Sequence, residues 1–95
     1  MADKKFTGNT AIVTCAGQGI GFEMARQLGV CGANIILNDL DPVFANTAAE
    51  RIRDETKSRC IAMAGDSGGL DFIQRMVSGA VSEFGGLDIV IANAG

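Results

Sequence analysis

Two hydrophobic periods alternate along the chain. Short apolar runs occur at Ala11–Val13, Asn34–Leu37, Cys60–Ala64 and Leu87–Ala92, each bounded by Gly, Asp or Asn. Runs of that length and composition suit strands buried on both faces of a parallel sheet. Between them, apolar residues recur at helical spacing. Ile20, Met24 and Leu28 stand on one face of a segment from about Gly19 to Val30, which ends near Gly32 as a left-handed cap. Asp41 as N-cap and Pro42 at the first helical position open a second helix, with Phe44, Ala48 and Ile52 as its apolar face. A third, from about Gly69 to Phe84, is expected to bury Leu70, Ile73, Val77, Val81 and Phe84 before Gly85-Gly86 stops it. The order β-α-β-α-β-α-β predicts an α/β fold, a parallel sheet with right-handed crossovers. In the doubly wound pattern its strand order is 3-2-1-4.

Composition narrows the function. The chain has 95 residues, 47% of them hydrophobic, which allows one domain with a modest core. A net charge of −3 without any basic run argues against nucleic acid or an anionic membrane as a partner. The three cysteines, Cys15, Cys31 and Cys60, are odd in number and form no C-x-x-C, so neither a disulfide framework nor a zinc site is signalled. With no histidine at all, a His-ligated metal and a Ser-His pair are both excluded. No leader-like segment opens the chain, and no apolar run is long enough to span a bilayer, so a cytoplasmic setting is expected.

The candidate chemistry lies between Thr10 and Gly21, where a strand breaks into the alternating glycines Gly17, Gly19 and Gly21 and continues as a helix. First-turn N–H groups have no intrahelical partner, and the helix dipole favours an anion beside them. Glycines let the backbone turn and let a phosphate approach closely. Twenty residues after Gly19, at the end of the second strand, stands Asp39. A dinucleotide fold places there the carboxylate that accepts from the adenosine ribose hydroxyls. The same carboxylate repels a 2′-phosphate, and neither Gln18 nor the residues around Asp39 supply a cation. NAD is therefore expected over NADP.

These residues carry a resemblance. The chain resembles the N-terminal part of a short-chain dehydrogenase/reductase, the family that includes bacterial 3-oxoacyl-carrier-protein reductases and glucose dehydrogenases. Thr14–Gly21, TCAGQGIG, is similar to that family's T-G-x-x-x-G-I-G turn. Asp66 after the third strand matches its adenine-contacting Asp, Asp88 the Asp before its fourth strand, and Asn93-Ala94-Gly95 most of its N-N-A-G. The resemblance implies a partial Rossmann fold and an oxidoreductase that moves hydride between alcohols or carbonyls and a nicotinamide cofactor. It assigns cofactor binding to Gly17, Gln18, Gly19, Ile20, Gly21, Asp39, Asp66, Asn93, Ala94 and Gly95. It also implies a homo-oligomeric parent.

Two positions depart from the family pattern. Cys15 replaces the first glycine of the turn, where a Cβ at φ > 0 costs on the order of 1 kcal/mol, and Ala92 replaces the first Asn of N-N-A-G. The family's reaction depends on a serine and a Y-x-x-x-K pair, and this chain has no tyrosine. Residues 1–95 are accordingly expected to form the N-terminal half of a dinucleotide-binding domain without its catalytic half. Such a chain is expected to be inactive by itself and, with an open sheet edge after the fourth strand, prone to self-association. The alternative is a non-catalytic nucleotide-binding or interaction module that uses that edge.

Overall fold

The periodicities become seven elements: β1 (Thr10–Val13), α1 (Gly19–Val30), β2 (Asn34–Asp39), α2 (Pro42–Thr56), β3 (Cys60–Ala64), α3 (Leu70–Phe84) and β4 (Ile89–Ile91). They come from a computed structural model, which describes residues 4–93. The four strands form one sheet in the order β3-β2-β1-β4, and all three pairings are parallel. Val13 sits level with Leu37 on one side and with Ile91 on the other. The C-terminal ends of all four strands therefore share one edge of the sheet, and the segments that follow them meet there.

Alternation along the strands sorts the core into two layers. Val13, Ile35, Leu37 and Cys60 face α1 and α2, packing with Ala25, Ala45, Ala48, Ala49 and Ile52. Ile12 and Ile36 face the other way, onto Phe72, Met76 and Ala80 of α3. This three-layer arrangement follows from strand order. The β1–β2 and β2–β3 crossovers run one way along the sheet and the β3–β4 crossover returns, so a constant right hand puts α3 on the opposite face. Ile35, Ile36 and Leu37 are fully buried, each worth roughly 1.5–3 kcal/mol relative to exposure.

The faces of α1 and α3 differ from the sequence expectation, while α2 buries Ala48 and Ile52 as expected. On α1 the buried stripe is Gly21, Ala25 and Gly29, while Ile20 is exposed and Met24 and Leu28 are half-buried. Small residues win because they let the helix axis approach the sheet more closely than a Leu/Met stripe permits. On α2 the buried set is Ala45, Ala48, Ala49 and Ile52, with Phe44 partly exposed at 43%. On α3 the buried stripe is Phe72, Met76 and Ala80, whereas Leu70, Ile73, Val77 and Val81 are all exposed. Both stripes of α3 have helical spacing, so periodicity alone could not choose between them.

The caps follow the sequence. Asp41 Oδ1 accepts from Val43 N–H at 2.8 Å and Phe44 N–H at 3.3 Å, with Pro42 next in line. Gly85 ends α3 in the left-handed region at φ 87°.

Candidate functional site

The strand ends are joined by a continuous hydrogen-bond network. After β1, Cys15 adopts φ 51°, a left-handed conformation that costs a residue with a Cβ about 1 kcal/mol. This is the position where the sequence pattern favoured glycine, and the backbone keeps the glycine-like geometry with a cysteine in place. Beyond it, Ala16 N–H donates to the Asn38 carbonyl at 2.7 Å and Gly17 N–H donates to Asp39 Oδ2 at 2.9 Å.

Asp39 is half-buried and has both carboxylate oxygens engaged, Oδ2 with Gly17 and Oδ1 with Asp41 N–H at 3.0 Å. Each oxygen can accept twice, so each keeps a lone pair for a further donor. The carboxylate is thus fixed by backbone and still open to hydroxyl groups. It does not cap α2, a role Asp41 fills. Close approach explains Gly17: a Cβ there would lie 2.6 Å from Asp39 Oδ2 and 2.8 Å from Phe44 Cβ. Gly21 is needed for a similar reason, since a Cβ would lie 2.5 Å from the Cys15 carbonyl oxygen and 2.7 Å from Asn93 Nδ2.

The end of β4 is tied to the turn from the other side. Thr14 Oγ1 donates to the Asn93 carbonyl at 3.2 Å and accepts from Asn93 N–H at 2.9 Å, and Asn93 Nδ2 donates to the Cys15 carbonyl at 3.3 Å. Thr14 thus holds the turn to β4. Asp88 does the equivalent at the start of β4, where Oδ2 accepts from Thr10 N–H at 2.9 Å. Asp66 is exposed, and its Oδ1 accepts from Gly68 N–H at 2.8 Å. It shapes the β3–α3 loop and does not cap α3, whose N-cap Gly69 has no side-chain bond.

A cleft of about 480 Å³ opens over this network, lined by Cys15, Gln18, Gly19, Ile20, Asp39, Leu40 and Asn93. Gln18, the N-cap of α1, is extended and its side chain makes no capping bond, so the first-turn N–H groups of α1 carry no side-chain acceptor. Ile20 is 76% exposed at the mouth. A fixed carboxylate and a helix N-terminus uncapped by any side chain share one cleft, which is the donor and acceptor set a dinucleotide requires. The structure therefore brings together Gln18, Gly19, Ile20, Asp39 and Asn93, with Gly17 and Gly21 allowing the walls to close. Asp66 stands apart on the adjoining loop. Ala94 and Gly95 lie outside the described residues.

A second, more apolar cavity of about 360 Å³ lies on the α3 side of the same loops, sharing Thr14, Cys15 and Asn93 and extending over Ile73, Met76, Val77 and Val90. Its walls supply few polar groups, so the first cleft is the better candidate for a phosphate-bearing ligand. Among the described residues, no group of acidic or thiol side chains could hold a metal ion.

Sequence reading missed Asn38. It is 1% exposed, and its amide contacts the segments after β1 and β3 as well as holding its own place on β2. A polar residue inside the apolar run NIILND was the available signal.

Sheet order, glycine turn and strand-end carboxylate are those of a doubly wound, Rossmann-like fold. Comparison with known proteins agrees: the family model for short chain dehydrogenase matches residues 9–95, and the chain belongs to that family. It is 41% identical over 96 residues to versicolorin reductase stcU of Emericella nidulans, which covers 96% of this chain and 34% of that protein. Among solved structures, it superposes on L-sorbose reductase from Gluconobacter frateurii, complexed with NADPH and L-sorbose. The TM-score is 0.91 at 29% identity, over 99% of this chain and 36% of that one. A metagenomic short-chain oxidoreductase in complex with NADP gives a TM-score of 0.84 at 30% identity, over 95% of this chain and 40% of that one. The chain thus spans about a third of the length of the curated relatives it matches.

Proposed function

We propose that residues 1–95 are the N-terminal half of the dinucleotide-binding domain of an oxidoreductase, and that the parent protein interconverts alcohols and carbonyls. The bound nicotinamide would supply the hydride chemistry. This chain's residues would bind and orient: Gln18, Gly19 and Ile20 at the pyrophosphate, with Gly17 and Gly21 leaving it room, Asp39 at the adenosine ribose and Asp66 at the adenine. Asn93, Ala94 and Gly95 would lie beside the second ribose. The observation that carries this reading is Asp39, whose carboxylate is held by Gly17 N–H at 2.9 Å in the cleft at the start of α1.

On cofactor choice our reading is NAD. It rests on the Asp39 carboxylate and on the neighbours Gln18, Leu40 and Asp41, which include no cation. It runs against the NADPH and NADP held by the two solved relatives. Calorimetric titration of the chain with both cofactors decides between them: NAD is expected to bind about tenfold more tightly, since close repulsion between a half-buried carboxylate and a 2′-phosphate is worth on the order of 1 kcal/mol. Asp39→Arg is expected to reverse the order, and an unchanged ratio would show Asp39 to be only a surface acid. Protection of Cys15 from alkylation by bound cofactor gives an independent reading of the same cleft.

The 95 residues include no tyrosine, and we propose that they carry out no hydride transfer alone; turnover of NAD with simple alcohols would overturn this. We further propose a cytoplasmic, homo-oligomeric parent. A second reading, an interaction module, is favoured by one observation: β4 pairs only with β1 among the described residues, and Val90 on it is 60% exposed. Such an edge can add a strand from a partner.

A further inference from the structure

Asn38 has no place in the reading above, yet it joins three of the segments that reading uses. Its Oδ1 accepts from Cys15 N–H at 3.3 Å, and its Nδ2 donates to the carbonyls of Met63 at 3.0 Å and Gly65 at 3.1 Å. A carbonyl can only accept, so the two carbonyls fix which side of the amide carries the nitrogen. The residue's own carbonyl takes Ala16 N–H at 2.7 Å. One buried side chain thus spans the turn after β1, the end of β2 and the loop after β3.

We propose that Asn38 is the positioning residue of the nucleotide cleft: it holds Cys15 in its left-handed conformation and keeps the glycine turn and the Asp66 loop aligned with Asp39. This rests on the cofactor reading for its purpose, though not for its geometry. Cys15 at φ 51° needs an acceptor for its turned N–H, and Asn38 supplies it. Once Cys15 is held, the next two N–H groups fall on the Asn38 carbonyl and on Asp39. Gly65 N–H also donates to the Asp39 carbonyl at 3.0 Å, so the Asp66 loop is gripped on both sides of Asn38. The side chain itself is too buried to touch a ligand.

The test is Asn38→Asp, which keeps the shape and makes the donor depend on protonation. The protonated carboxyl can accept from Cys15 N–H and donate to one of the two carbonyls. Ionised, it has no donor and faces both carbonyl oxygens. Charged groups on the surrounding elements are Asp39 and Asp66, with Asp71 and Arg75 on α3, beside the Cys15 thiol, and all are present in both proteins. The affinity of the variant for NAD, divided by that of the wild type, is therefore expected to fall about tenfold between about pH 5 and about pH 8, the scale of one lost buried hydrogen bond. A flat ratio, or equal affinities, would overturn the proposal.

Amide hydrogen exchange supplies a readout without ligand. The Cys15 amide is expected to exchange at least about tenfold faster in the variant while Ile36, in the middle of β2, is unchanged. Equal acceleration at both sites would show a general stability role and overturn the proposal. If the wild type binds no dinucleotide, the cofactor reading fails by itself, and exchange at Cys15 still decides the role of Asn38. Asn38→Ser, too short to reach both carbonyls, replaces the Asp variant if that one does not fold.

Discussion

At the residue scale, the site is defined by backbone groups that leave no room for side chains. Gly17 shows this most directly, because any Cβ would strike the Asp39 carboxylate at 2.6 Å and Phe44 at 2.8 Å. Gly17→Ala is expected to displace Asp39, destabilise the chain by about 1–3 kcal/mol and weaken dinucleotide binding. Urea denaturation and calorimetry measure the two effects separately. Cys60 offers a pH test. Burial pushes its thiol up to about 12 from 9.0, against the smaller opposing pull of Arg53. A raised thiol pKa means that the folded state keeps its proton while the unfolded chain loses it. Stability from this group is thus complete below about pH 9 and declines as pH rises toward 12. The fall in urea midpoint between pH 8.5 and pH 10.5 is expected to be smaller in Cys60→Ala than in the wild type, whatever cavity cost the variant carries at neutral pH.

At the element scale, α3 separates what a pattern can say from what packing decides. Two apolar stripes run along it. Phe72, Met76 and Ala80 meet the sheet, and Ile73, Val77 and Val81 do not. Met76→Ala is expected to cost about 2–5 kcal/mol through lost burial and a residual cavity. Val81→Lys, at a 53% exposed position, should change stability by no more than about 0.5 kcal/mol, as exposed substitutions do. Thermal unfolding of the two variants distinguishes the faces, and the reverse order would assign them the other way. The N-terminus of α2 was plainer from sequence, because Asp41-Pro42 is a local signal with a local cause. Gln18, by contrast, gives α1 no side-chain cap, which leaves that helix end available to a ligand.

At the scale of the whole molecule, parallel pairing brings four strand ends to one edge and with them the glycine turn, Asp39, the Asp66 loop and Asn93. Two apolar surfaces remain at its margin: the exposed stripe of α3 and the outer side of β4. Concentration-dependent association in sedimentation velocity is the expected consequence, and Val90→Lys should reduce it, because a charge on an edge strand disfavours adding another strand. Association unaffected by that substitution would place the contact elsewhere.

Strand order and the place and type of every element were legible in the sequence, because apolar period, caps and glycine spacing are local and each has a steric cause, although β4 is shorter and β2 longer than their apolar runs. The ends of α1 at Gly19 and Val30 and the limits of β3 at Cys60 and Ala64 needed nothing more. Asp39 was legible too, as an acid at a fixed distance from a glycine turn. The tertiary structure alone decided the buried faces of α1 and α3, since two stripes of equal period differ only in what they meet. It alone showed that Gly17 serves the Asp39 carboxylate through close approach. It also showed that Cys15 accepts the left-handed backbone. The role of Asn38 is of the same kind: its partners lie 23 to 27 residues away along the chain, and only folding brings them within reach of one amide.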